Sequence, residues 1–359
     1  MNDHSQENVA FESERVKVRD TPEALARLLE ARGWGDGLPV VPPTPERVAR
    51  MVEGAGLAPD VEIGLMPPRQ GVITVEALAV NAVMAGCHPA YMPVLLAAAR
   101  AVLEPEFSLH AIQATTHPVA PLIIVNGPIV EEIGLNAEYG CFAPGNRANA
   151  TIGRAMRLTL LNVGGASPGV LDRATQGSPA KYAFCIAENE AVSPWEPLHV
   201  ERGFAPDESA VTLVGCEGPH NINDHVSHTA EGILATAADT MAVMGCNNFY
   251  LRGEPVLALG PEHAATIAGD GLTKADVKGR IFELARKPVR QLKRGAMWGM
   301  QTWGEEIAEH EEDDDFEIPL LDKPEDLLLI VTGGAGKHSC YMPTFGPTRS
   351  VTRKIDTSG

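Results

Sequence analysis

The chain has 359 residues, 44% of them hydrophobic, and a formal net charge of −18. That length can bury a large core in two domains or in one elaborate one. The negative balance argues against nucleic acid and anionic membrane surfaces, which ask for a basic face.

The start, "MNDHSQENVAFESERVKVRD", is polar and acidic without the apolar stretch of a signal peptide, and no apolar run has the length of a membrane span. The expectation is a cytoplasmic chain with a disordered tail over residues 1–20. The six cysteines, Cys87, Cys141, Cys185, Cys216, Cys246 and Cys340, are far apart and form no C-x-x-C, which predicts free thiols. The acidic run at 305–319 reads as a solvated loop.

In chain order, Thr21-Pro22 opens an amphipathic helix that Gly33 ends, Thr supplying the cap and Pro fitting the first turn. A Gly/Pro-rich loop holding Trp34 and Asp36 leads to a second Thr-Pro helix start at Thr44. "TVEALAVNAVMAG" and "PAYMPVLLAAARAVLE" are Ala-rich helices that meet at Cys87-His88-Pro89. Apolar runs at 120–128, 210–219, 254–261 and 326–336 end in Gly-rich turns and read as buried strands. Helical patterns lie between them, so the fold class is α/β, with mixed α+β as its variant. "NAVMAGCHPAYMPVL" (81–95) echoes "TMAVMGCNNFYLRGEPVL" (240–257), and "LIIVNGP" echoes "VLALGP". The echoes suggest two related halves, 21–200 and 201–350.

Chemistry-bearing residues concentrate in "VGCEGPHNINDHVSH" (214–228). With Asn223 as N-cap, His225 and His228 would share one face of a first helical turn, where the dipole favours neutral imidazole. Cys216 and His220 would lie on the preceding turn, close to a helix start that eases thiol ionisation. Three readings are open: a divalent transition metal held by His220, His225 and His228; a metal-free catalytic or substrate-binding cluster; or capping and packing alone. The spacing matches no known zinc signature.

Two further stretches suit an anion. In "YGCFAPGNRANATIGRAMR" (139–157), Cys141, Asn146, Arg147 and Asn149 precede or open a helix, and backbone N–H groups with an arginine fork suit a carboxylate or phosphate. In "VTGGAGKHSCYMPTFGPTRS" (331–350), a Gly-rich turn carries Lys337, His338, Ser339 and Cys340. The P-loop pattern fails there, because Val331 occupies the first glycine position and His338 follows the lysine. His110 and His117 would point to opposite faces of a strand. Asp36 is a loop acid or a turn former, and Glu188 and Glu190 are general acid or base candidates.

The stretches "GWGDGLPVVPPTPERV", "VMAGCHPAYMPVLLAA", "GCFAPGNRANATIGRAMRLTLLNVGG", "ATQGSPAKYAFCIAENE", "PVLALGPEHAATIAGDGLTKADVKG" and "GGAGKHSCYMPTFGPTRSVTR" resemble the long region associated with UGSC-family (seleno)proteins, over most of the chain after residue 30. The resemblance implies thiol or selenol redox chemistry tied to a Gly-Ser-Cys motif. This chain has no Cys-Gly-Ser-Cys; its nearest approach is "KHSC". The resemblance therefore implies that the redox motif sits on a separate subunit or is absent.

The leading expectation is an enzyme, or the large subunit of one, acting on a small anionic molecule by thiol/imidazole-assisted bond cleavage of lyase or hydrolase type. Cys216 would be the nucleophile or soft ligand; His220, His225, His228 and His338 the bases or ligands. Asn126, Cys141, Asn146, Arg147, Asn149, Lys337 and Ser339 would bind substrate. The alternatives are a non-catalytic scaffold for a Gly-Ser-Cys redox partner and a metal-dependent hydro-lyase. The turns at Asn126, Cys216 and Gly333 should surround one cleft, and the Ala/Leu-rich helices suit a homodimer.

Overall fold

The structure, a computed structural model, describes residues 11–300, 305–346 and 348–356. The helix starts are where the caps place them. Thr21 and Thr74 accept from the backbone N–H three residues on, and Gly33 and Gly86 end their helices in the left-handed conformation. The long helices of the first half are Pro22–Arg32, Pro45–Ala55, Val75–Ala85, Met92–Val102 and Arg147–Asn162. Those of the second are Ala230–Met241, Pro261–Gly269 and Lys274–Leu284. None of the described helices is long and apolar enough to cross a membrane.

The strands are β1 (Glu62–Met66), β2 (Gly71–Thr74), β3 (Ala120–Asn126), β4 (Cys185–Ala187), β5 (Ala210–Cys216) and β6 (His220–Asn223), then β7 (Val256–Leu259), β8 (Arg286–Pro288), β9 (Glu317–Pro319), β10 (Leu328–Val331), β11 (His338–Met342) and β12 (Val351–Lys354). Besides two small two-stranded sheets, β1-β2 and β8-β9, there are two four-stranded sheets of order β12-β5-β3-β4 and β10-β7-β11-β6. The fold is α/β, as the strand runs and intervening helices predict.

The two large sheets repeat one topology. β3 pairs parallel with β4 and antiparallel with β5, and β5 takes an antiparallel outer strand. β7 pairs parallel with β10 and antiparallel with β11, and β11 takes its own antiparallel outer strand. The outer strands are exchanged: β6 follows β5 in the chain yet joins the second sheet, and β12 follows β11 yet joins the first. The crossing is at Cys216 and Thr344, which form an isolated bridge, with Glu217 N donating to Pro343 O and Phe345 N to Gly215 O. A division at residue 200 therefore does not follow the sheets, because β5 and β12 belong with β3.

Only one of the two sequence echoes is structural. "LIIVNGP" and "VLALGP" are equivalent central strands, each followed by a Gly-Pro turn into a helix. Both turns need glycine. A Cβ on Gly127 would fall 2.4 Å from Glu208 O and one on Gly260 2.1 Å from His338 O. The longer echo is not structural, since its Pro-Val-Leu lies in a helix at 93–95 and at the start of β7 at 255–257.

Strand alternation distributes three cores. Ile123, Val125, Val211 and Leu213 face the helices of the first half; Leu257, Leu259, Leu329 and Tyr341 face those of the second. The opposite faces, with Leu122, Ile124, Val214, Val256, Ile330 and Met342, enclose a shared core between the sheets. The edges of β4 and β10 meet there, where Asn189 N donates to Val331 O at 2.8 Å.

Two loop expectations are corrected. Glu12 N and Ser13 N donate to the buried Glu76 carboxylate, so part of the expected tail is anchored to a helix start; residues 1–10 lie outside the described residues. The acidic run contains the helix Glu305–His310 and strand β9, and Asp314 pairs with Lys293.

Candidate functional site at the rim of the sheets

The helix expected to be capped by Asn223 is capped six residues later. Thr229 is the N-cap of Ala230–Met241, and Asn223 ends β6. Between them Asp224 organises a loop: its Oδ1 accepts from Val226 N at 3.1 Å and Ser227 N at 2.9 Å, and its Oδ2 accepts from the Thr236 hydroxyl at 2.9 Å. An aspartate thus caps a loop where asparagine was expected to cap a helix. His225 and His228 lie on this loop, both exposed, rather than on one helical face.

The histidine cluster divides accordingly. His220 pairs across the ladder with Tyr341, which is buried in the second outer core, so His220 lies on that outer side. Asn221 and His338 lie on the other side, with Cys340 and Met342. No group of three or more His, Cys, Asp or Glu among the described residues could hold a metal ion. The expected set His220, His225 and His228 is not one site.

His225 and His338 do meet. Their Nε2 atoms are 3.1 Å apart and the rings are edge-on at 4.9 Å. His338 Nδ1 lies 2.8 Å from Asn221 Oδ1, and Lys337 Nζ donates to His225 O at 3.5 Å. The amide oxygen of Asn221 can only accept, so in a pair of neutral imidazoles His338 would carry its hydrogen on Nδ1 and accept at Nε2 from His225 Nε2–H. His225 Nδ1 is left as the acceptor atom of the pair, and the exposed rings put it within reach of solutes. Asn221 was not singled out in the sequence; its position two residues before Asn223 on the same strand face was the available signal.

Cys216 is fully buried in the shared core, where burial pushes its thiol well above the usual range and the charge of Glu217 adds to the push. The expected nucleophile is therefore an inert core thiol. The single-cleft expectation fails for the same residue. Cys216 pairs with Ala120 and Asn126 with Ala210, so an antiparallel ladder separates them by about 20 Å at ~3.4 Å per residue. Cys141 is buried and its thiol pushed up by burial; it contacts the Thr332 hydroxyl at 3.4 Å. Burial likewise pushes Cys340 up to about 12.

The remaining expected binding residues are mostly structural. Asn146 caps the helix Arg147–Asn162. Asn149 is buried, accepting from Asn136 N and donating to Asn136 O and Cys141 O. Arg147 is exposed and its Nε donates to Gly86 O at 2.9 Å. Ser339 is buried on the face opposite His338; its hydroxyl accepts from Gly260 N and lies 2.8 Å from His263 Nδ1. His263, whose Nε2 is 2.9 Å from Asp224 O, is a buried histidine that periodicity did not expose. His110 is on the helix Leu109–Ala114 rather than a strand, and His117 Nε2 meets Glu217 Oε1 at 2.7 Å. Asp36 accepts two bonds from Arg154. Burial pushes its carboxyl up, but Arg154 outweighs this and holds it below the usual range.

Asn126 and Gly333 do share the rim. Asn126 Nδ2 donates to Glu188 Oε2 at 2.7 Å and Glu190 Oε1 at 2.9 Å, and Asn189 Nδ2 donates to Gly333 O at 3.0 Å. Glu188 is fully enclosed, and burial raises its pKa against the pull of Lys274. Thr332 donates to Ala187 O, and Gly333 N donates to Ala137 O. These bonds fix the turn that presents Lys337 and His338.

Asp224 gives the loop a measurable signature. Burial alone would push its carboxyl up; hydrogen bonds from Ser227, Thr236 and Val226 outweigh it and hold the pKa at about 2. A depressed folded pKa stabilises above the unfolded value, near 4, and that stability is lost as pH falls towards 2. Asp224→Asn should therefore be less stable than wild type by about 2 kcal/mol at pH 6, the gap narrowing at pH 3. Urea titrations of both proteins at the two pH values check this; an unchanged gap would remove the charge from the account.

No family model, curated protein or solved structure matches the chain.

Proposed function

We propose that this protein is an enzyme that removes a proton from a small anionic substrate, opening a lyase or hydrolase step, with the His225–His338 pair as its acid–base device. The observation that carries the reading is the Nε2–Nε2 contact of 3.1 Å combined with the Asn221 bond to His338. It is a base held by a second group that is itself oriented by a third, the arrangement proton transfer calls for. His225 Nδ1 takes the proton. The resulting imidazolium keeps its Nε2–H on His338, whose Nδ1–H leans on Asn221. Lys337, beside His225, attracts the substrate's carboxylate or phosphate as a point charge. The buried thiols take no part, so the step is imidazole-driven.

The test is deuterium exchange. A panel of small hydroxy-, keto- and unsaturated carboxylates and phosphate esters is incubated with the enzyme in D2O and followed by proton NMR. At least one compound should exchange a proton or turn over, and Lys337→Ala should raise its KM more than it lowers kcat. Exchange unaffected by Lys337→Ala would remove the anion-binding role.

A further inference from the structure

A second cavity, on the outer side of the first half, is unrelated to the imidazole pair. It encloses about 440 Å³ between segment 11–18 and the helices Pro22–Arg32, Pro45–Ala55 and Val75–Ala85. That volume falls within the ~300–1,000 Å³ of small-molecule sites. Its wall is mostly apolar, with Leu25, Leu28, Trp34, Val48, Val80 and Met84 among its residues. Its polar lining includes Glu76, Asn81 and Asn162.

These three groups offer acceptors. Asn162 Nδ2 is used by Asn81 Oδ1 at 2.6 Å, and Asn81 Nδ2 by Ala77 O at 2.8 Å. Asn162 Oδ1 is buried without a hydrogen-bond partner, which is costly unless something donates to it. Glu76 is only 4% exposed, and the bonds to its carboxylate come from two backbone N–H groups, Glu12 N at 2.9 Å and Ser13 N at 3.0 Å. Glu14 and Arg15, both exposed, also line the cavity, and Glu14 is paired with Arg32 at 3.2 Å. An apolar wall with a buried carboxylate and an orphaned amide oxygen complements an apolar body with a cationic, hydrogen-donating head.

We infer that this cavity is a binding site for a small amphipathic amine, its aliphatic or aromatic body against the apolar wall and its ammonium directed to Glu76 and Asn162. A carboxylate of the same length would place like charge beside Glu76 and give Asn162 Oδ1 no donor.

The experiment uses the full chain and the fluorescent probe N-phenyl-1-naphthylamine, displaced by decylamine, decanol or decanoate below their aggregation limits. Probe binding should saturate, and decylamine should displace it at a concentration at least about ten-fold below decanoate. Val80→Trp and Leu28→Trp, which fill the cavity from two sides, should each abolish probe binding without altering the far-UV circular dichroism. Glu76→Gln should keep probe binding but bring decylamine and decanoate within about three-fold of each other. Non-saturable probe uptake, full binding in both folded tryptophan variants, or displacement by decanoate as effective as by decylamine would overturn the proposal.

Discussion

Replacing His225 with alanine should lower kcat by about 10²–10⁴-fold, the usual contribution of a positioned general base, while leaving the thermal melt where it is. The separation is expected because His225 is an exposed loop residue whose side-chain bond is to His338, itself exposed. Few apolar contacts are lost, so no cavity forms. His338→Ala should also reduce kcat, but by less, because it supports the imidazolium without touching the transferred proton. Asn221→Ala should mimic His338→Ala by freeing that ring. The double variant His225→Ala/His338→Ala should be no worse than His225→Ala alone, as for residues that act as a unit. Rates, pH profiles and melts on the substrate found by exchange decide the matter. Wild-type kcat in His225→Ala would sink the proton-transfer reading, and a melt lowered in step with activity would make the pair structural.

The largest expected loss of stability lies at the strand exchange. Asn248 is fully buried on the short helix Asn248–Leu251. Its Oδ1 accepts from Thr344 N at 3.0 Å, and its Nδ2 donates to Arg252 O at 2.8 Å and Thr344 Oγ1 at 2.9 Å. Tyr341 OH adds a bond at 3.3 Å and is itself 2.9 Å from Cys246 Sγ. Thr344 is the residue bridged to Cys216, where the chain leaves the second sheet for the first. Asn248→Ala would orphan Thr344 N in a site closed to water, with a cost of about 3 kcal/mol. The urea midpoint should fall accordingly at unchanged slope. A loss below about 0.5 kcal/mol, within the range of ordinary surface changes, would mean that the network does not hold the crossing.

The two imidazoles that meet are 113 positions apart in the chain, and the sequence contains nothing that pairs them. What it contains is local. The Thr-Pro and Thr-x-x helix starts, the Gly ends and the apolar runs of β3, β5, β7 and β10 were legible because each depends on a few neighbouring residues: a cap hydroxyl, a left-handed glycine, an unbroken buried strand. The "NGP" and "LGP" turns were legible for the same reason, and they mark the equivalent strands of the two sheets. The six residues between Asn223 and Ala230 were misread because an aspartate that caps a loop and an asparagine that caps a helix carry the same local signal. Everything beyond that range was decided by tertiary structure. Alternation along β5 set Cys216 into the shared core, and the antiparallel register of β3 and β5 parted it from Asn126. Strand alternation then turned His220 and Ser339 to one side, and Asn221 and His338 to the other. Faces and partners follow from burying apolar surface on both sides of each sheet, a requirement of the whole chain that no single stretch expresses.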